Sequence, residues 1–231
     1  MENQIYENYK SILENVKSTC LKANKNPENI KIIAVCKRQP LLKVEQSIRF
    51  GIKDFGENPI QDAKNRWVKQ KLEKIKLRFL GPLQTNKSED AVNLFDEVQS
   101  LDRPKLAKSL SKAQLKLRKT IQYMVQVNTG NEPQKSGIKP NEIDDFIKLC
   151  VQDYGLNITG LMCIPPVKEN PALHFALMSK LFKRNKLKHL SMGMSNDYQI
   201  AIELGATHIR IGSKLFGERL EKEEHKLQIV T

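Results

Sequence analysis

The sequence predicts an α/β protein built as a single (β/α)8 TIM barrel. Three observations carry that prediction. Eight short β-like runs recur at fairly even spacing along 231 residues, each followed by a helical stretch, and alternating βα units imply a parallel sheet. Several runs are rich in β-branched residues and end at Gly, Asn or Pro, the pattern of buried parallel strands. The length is close to the minimum for eight such units in one domain. An open doubly wound sheet is the alternative, but no G-x-G-x-x-G follows a strand.

In chain order, a helix over roughly 3–24 precedes the first strand. The strands are expected at IKIIAVC (running into Lys37), IKDFGE (52–57), LRFLG (77–81), DEVQSL (96–101), IQYMVQVN (121–128), ITGLMCI (158–164), HLSMG (189–193) and HIRIG (208–212). Between them, LLKVEQSIRFG is amphipathic and stops at Gly51. IQDAKNRWVKQKLEKI, SEDAVNLF, RPKLAKSLSKAQLKL, PNEIDDFIKLCVQDYG and PALHFALMSKLFKRN follow. SNDYQIAIELGA has Ser195 as N-cap and Gly205 as stop. One domain is therefore expected over 1–231, with an N-terminal helical segment (1–26), a C-terminal tail (220–231) and no linker.

Composition narrows the function classes. Hydrophobic residues make up 39% and charged residues 28%, and no apolar run approaches the roughly 18 residues of a membrane span. The opening MENQIYENYKSILENVKS is charged and helical rather than signal-like, so a cytoplasmic location is expected. Four scattered cysteines without C-x-x-C, and four histidines without H-E-x-x-H, predict neither disulfides nor a metal site. The net charge of +13 raises nucleic-acid binding. The 30 lysines against 9 arginines are, however, spread over many helices and interleaved with apolar positions. They read as solvated faces, and neither a nucleic-acid nor a membrane partner is expected.

In such a barrel the active face lies at the C-terminal ends of the strands. The last two loops are the most telling. M-G-M-S-N-D places Gly193 and Ser195 at a helix mouth, where free N–H groups attract anions. R-I-G-S places Gly212 where backbone can approach a ligand closely, with Ser213 as a hydroxyl donor. Two such loops on adjacent strands predict a phosphate site. Lys37 ends the first strand abruptly. A strand-end lysine by itself is more often a solvated cation. Beside a phosphate site, a partly desolvated rim amine with a lowered pKa can form a Schiff base with a carbonyl. Pyridoxal 5′-phosphate (PLP) is an aldehyde that also carries a phosphate. G-N-E-P-Q-K-S (130–136) is a decoy for a phosphate loop, because Gln134 stands where the second glycine is needed; Lys135 remains a candidate rim cation. Cys36 should face away from Lys37, between barrel and helices, and Trp67 should be core.

I-A-V-C-K, F-G-E-N, F-L-G-P-L-Q-T-N-K, V-N-T-G-N-E-P-Q-K-S-G, G-L-M-C-I-P, L-S-M-G-M-S-N-D and R-I-G-S-K-L-F-G occur in this order from about residue 5 to residue 219. Together they resemble the YggS/PROSC family of pyridoxal phosphate homeostasis proteins. The resemblance implies the barrel of the alanine racemase N-terminal domain (fold type III), without that enzyme's C-terminal β domain. It implies Lys37 as the Schiff-base lysine, and Ser195, Gly212 and Ser213 on the phosphate. It places Arg210 at the pyridine nitrogen, Asn58 near the ring, and Met162 and Met194 in the lining. It further implies a monomer serving vitamin B6 and amino-acid homeostasis without established catalysis, with PLP-dependent apo-enzymes as recipients. The alternative is a weak PLP-dependent amino-acid racemase or other Schiff-base enzyme. An arginine beside the pyridine nitrogen disfavours its protonation and weakens the electron sink. Two positions depart from the family pattern: Cys36 replaces Ser, and Pro59 replaces the Tyr after F-G-E-N.

Overall fold

The structure, a computed structural model, describes residues 2–67 and 74–217. Eight parallel strands close in sequence order into a barrel: β1 (Lys31–Val35), β2 (Asp54–Glu57), β3 (Lys76–Phe79), β4 (Glu97–Leu101), β5 (Gln122–Val127), β6 (Asn157–Cys163), β7 (His189–Met194) and β8 (His208–Ile211). The seam between first and last strands runs from Lys31 opposite His208 to Ala34 opposite Ile211. Around it lie α1 (Glu2–Lys22), α2 (Leu41–Arg49), α3 (Ile60–Trp67), α4 (Ser88–Leu94), α5 (Pro104–Leu117), α6 (Ile143–Lys148), α7 (Pro171–Arg184), α8 (Tyr198–Glu203) and α9 (Ser213–Phe216). All eight expected strands form. The expected tail (220–231) and the second half of the helix expected after Ile60 lie outside the described residues.

Strand alternation decides which side chains reach the barrel interior. A Cβ on Gly56 would stand 2.9 Å from Ile33 Cγ2 and 2.4 Å from Leu80 Cδ1, so these positions share the inside. The intervening residues face the helices. Cys36 and Glu57 meet there with Arg66 and Trp67 of α3, and Trp67 packs on Phe55 with centroids 5.1 Å apart. The apolar core lies mainly in this layer between strands and helices, where Phe55, Phe79, Phe95, Tyr123 and Phe175 are buried.

The interior of the barrel is polar along one line. Arg78 on β3 pairs with Asp54 and Glu97. Glu97 accepts from the Gln99 amide, and the Ser191 hydroxyl donates to Gln99 Oε1 at 2.7 Å. Arg210 then donates to Ser191 Oγ at 2.7 Å. This buried chain spans from the strand entrances to the strand exits. A charge inside a protein is tolerated when it is paired and hydrogen-bonded in this way.

Two helix boundaries differ from expectation. Ser195 does not cap α8. The chain turns through residues 195–197 and α8 begins at Tyr198, with Asp197 preceding it and accepting from the Met194 amide at 2.6 Å. The stretch expected as one helix over 140–155 is α6 followed by a π-helical turn, Leu149–Asp153. The stops at Gly51 and Gly205 form as expected, at φ +87° and +106°.

Candidate functional site

The strand exits surround a cavity of about 540 Å³. β1 delivers Lys37, half-buried, immediately after the buried Ala34 and Cys36. β2 delivers Asn58, whose side chain lies against Gly81: a Cβ on Gly81 would fall 2.1 Å from Asn58 Cγ, so glycine there makes room for the amide. Pro59, the second departure from the family pattern, opens α3 by accepting the Ala63 amide through its carbonyl at 3.2 Å. Met194 ends β7 and Ser195 follows it, while Gly212 follows β8 and Ser213 opens α9. The two loops touch, because the Lys214 amide donates to Ser195 Oγ at 3.4 Å. Arg210, 4% exposed, forms part of the inner wall, its guanidinium also donating to the Cys163 carbonyl at 2.7 Å. Burial lowers the Arg210 pKa, with Cys163 and Asp197 pulling the other way.

Seven of the eight expected residues therefore border one cavity: Lys37, Asn58, Met194, Ser195, Arg210, Gly212 and Ser213. Met162 does not. It pairs across the sheet with Ser191, one layer deeper in the barrel, and is 1% exposed. Gly193 also stays out of the cavity. Its φ of +88°, and the 2.6 Å at which a Cβ would meet Ala201 Cβ, make it a packing glycine under α8. Gly212 differs, since a Cβ there would meet protein only at Val35, at ordinary contact distance. Its bare backbone faces the cavity. Sequence reasoning missed Leu80, Ile164 and Glu169 in the lining. Leu80 was legible as the last inward position of LRFLG; Ile164 and Glu169 lie in an irregular loop with no periodic signal.

Other candidates resolve clearly. The loop over 130–136 is braced by Asn128, whose amide donates to the Glu132 carbonyl at 2.8 Å and accepts from its N–H at 3.1 Å. Lys135 is held by Glu132 and the Pro165 carbonyl. Cys36 faces the helices, and burial followed by the Glu57 carboxylate pushes its thiol well above the ordinary value. All four cysteines are free and buried. Among the described residues, no cluster of His, Cys, Asp and Glu has the makings of a metal site, and no helix is long and apolar enough to cross a membrane.

The amine, the paired serine loops and the buried guanidinium in one cavity invite comparison with known proteins. Residues 8–220 match the family model described as alanine racemase, N-terminal domain. The pyridoxal phosphate homeostasis protein of Pasteurella multocida is 34% identical over 227 residues, covering 93% of this chain and 97% of that protein. The protein of the same name from Aquifex aeolicus is 32% identical over 222 residues, covering 92% and 97%. Among solved structures, PipY of Synechococcus elongatus without PLP superposes with a TM-score of 0.78 at 31% identity, covering 89% of this chain and all of that one. Its form with PLP bound gives 0.76 over the same shares. Alanine racemase of Clostridium difficile shares the fold at 16% identity and a TM-score of 0.69, the barrel covering 96% of this chain but 58% of the racemase. The chain belongs to the alanine racemase N-terminal domain family, in its branch of pyridoxal phosphate homeostasis proteins.

Proposed function

We propose that the protein binds pyridoxal 5′-phosphate at the strand exits, with the aldehyde taken by Lys37, and that it holds and hands on this cofactor without turning over a substrate. The single observation that carries the reading is the pairing, in one cavity of about 540 Å³, of the Lys37 amine on β1 with the Ser195 and Ser213 hydroxyls of two touching loops. The volume suits a small ligand. The bare backbone at Gly212 leaves space on the ligand side of the same loop. The names of the relatives and the PLP-bound PipY structure support the same ligand. When bound, PLP supplies an electrophilic aldehyde conjugated to a ring that can accept electrons.

The residues of this chain favour holding over turnover. Arg210 is a donor only, fixed by Ser191 and the Cys163 carbonyl. Set against the ring nitrogen, it keeps that nitrogen from taking a proton. Of the carboxylates in the lining, Asp197 accepts from the Met194 amide and Glu169 from His174. Neither tyrosine nor histidine is among the described lining residues. The reading includes a cytoplasmic monomer, Ser195, Gly212 and Ser213 on the phosphate, Asn58 and Met194 beside the ring, and apo-enzymes as recipients.

Borohydride reduction of the purified, PLP-loaded protein, followed by peptide mass spectrometry, tests it. The expected adduct is on Lys37 and is lost in Lys37→Ala. An adduct on other lysines that persists in Lys37→Ala rejects the assignment. Removing both hydroxyls (Ser195→Ala with Ser213→Ala) should weaken cofactor retention by about 2–3 kcal/mol, and unchanged retention would remove the phosphate role. Turnover of an amino acid by the loaded protein would favour the enzyme reading instead.

A further inference from the structure

The opposite mouth of the barrel is a basic cup. The strand entrances line a cavity of about 560 Å³. Lys31 opens β1, Lys53 precedes β2, and Lys74 and Lys76 lead into β3; all four are exposed. β1 pairs with β2 and β2 with β3, so these lysines stand on three adjoining entrances, where neighbouring strands run about 4.8 Å apart. Like charges on neighbouring strands destabilise a sheet.

The acids of the cup offset them only in part, since Asp54, Asp96 and Glu97 face these four lysines together with Lys119 and Arg78. Asp54 and Glu97 are committed to Arg78 in the floor, and Asp96 accepts from the Leu77 amide at 2.8 Å. None of the four lysines makes an ion pair or side-chain hydrogen bond with another described residue. Attraction to helix C-termini accounts for other lysines on this side. Lys25 donates to the Ile202 and Glu203 carbonyls, and Lys119, on the rim of the cup, donates to the Asn93 carbonyl. It does not account for Lys31, Lys53, Lys74 and Lys76. The remaining lining is polar apart from Ile121.

We propose that this cup is a second binding site, for a small molecule that carries a diphosphate group. Lysine ammoniums are compact charges with three donors each, and a cluster of them grips phosphate oxygens without needing a fixed geometry. A concave, hydrophilic, multiply cationic site selects a dense anion over an apolar ligand. The volume lies in the range of small-ligand sites and admits a nucleoside diphosphate as well as pyrophosphate.

Calorimetric titration with sodium pyrophosphate, on the full chain saturated with PLP and at physiological ionic strength, tests the site. Saturation keeps the phosphate loops at the other mouth occupied. One saturable site is expected. Lys31→Gln with Lys76→Gln should weaken it at least about tenfold without lowering the Tm. Lys10→Gln with Lys17→Gln, which removes the same charge from the exposed face of α1, should leave it unchanged. ADP binding more tightly than pyrophosphate would assign the site to a nucleotide; equal affinities would assign it to the free diphosphate. No saturable heat, full affinity in the Lys31/Lys76 variant, or an equal loss in the Lys10/Lys17 variant overturns the proposal.

Discussion

Arg66 holds three oxygens at once: Glu57 Oε1 and the carbonyls of Cys36 and Gln39. The chain around Lys37 is thereby tied to α3, and the sequence shows why only in retrospect. Glu57 is visible in F-G-E-N at the end of β2 and borders the cavity, but nothing in that motif announces its partners on α3. Strand alternation turns its carboxylate to the helices, where Trp67 Nε1 also donates to it at 2.8 Å. The positions of Lys37 and Arg210 were legible because each follows or ends an apolar run. The partners of Arg210 were not, because Ser191 and Cys163 lie 19 and 47 residues away in the chain and no short spacing announces a contact between strands. A testable consequence sits one turn of the network deeper. His208 is 4% exposed at the N-terminal mouth, edge-on to His189 at 4.8 Å, with Thr207 Oγ1 2.8 Å from its Nδ1. Burial, then Arg78, His189, Lys31 and Arg210, push its pKa down to about 2. An unfolded histidine titrates near 6.5. Below that pH the unfolded chain takes a proton that the folded one refuses, so this contribution to stability is complete above about pH 6.5 and is lost as the pH falls. Between pH 6.5 and 5.0 the loss should be about 2 kcal/mol. Urea unfolding across that range should show a correspondingly flatter profile for His208→Gln, and parallel profiles would refute the assignment.

At the scale of elements, the eight strands were readable because burial on both faces leaves long β-branched runs, and because glycines end the helices. The β7–α8 corner was read correctly in place and incorrectly in detail. A serine three residues before an amphipathic run looks like a cap, yet Asp197 and Gly193 set the corner, and Ser195 is left facing the cavity. Gly193 permits this by adopting φ +88° directly beneath α8, with Tyr198 Cα 2.9 Å from where a Cβ would be. Gly193→Ala should therefore cost about 2–4 kcal/mol, combining strain at a positive φ with overpacking. It should also loosen cofactor retention by moving Ser195. Denaturant midpoints and PLP affinity measured on the same variant check both parts. Gly212→Ala, which meets no backbone clash, should reduce retention with little change in stability, so equal stability losses in the two variants would contradict the distinction.

At the scale of the molecule, the proposed ligand bridges the two ends of the chain. Lys37 lies near the start of the barrel and the serine loops near its end, on either side of the β1–β8 seam. A molecule joined to Lys37 and held at Ser195 and Ser213 fastens that seam, whereas the strands opposite, β4 and β5, give no residue to the cavity. Binding to the folded state alone stabilises it by mass action, about 2.7 kcal/mol at a ligand concentration one hundred times the Kd. Two measurements follow. Saturating PLP should raise the Tm of the wild-type chain, and the rise should shrink, without vanishing, in Lys37→Ala, which keeps the phosphate contacts. Amide exchange should slow on PLP addition in residues 31–38 and 189–216, and much less in residues 97–127. Uniform slowing across the barrel would mean that global unfolding governs exchange everywhere. Protection confined to β4 and β5 would place the ligand elsewhere and reject the bridge.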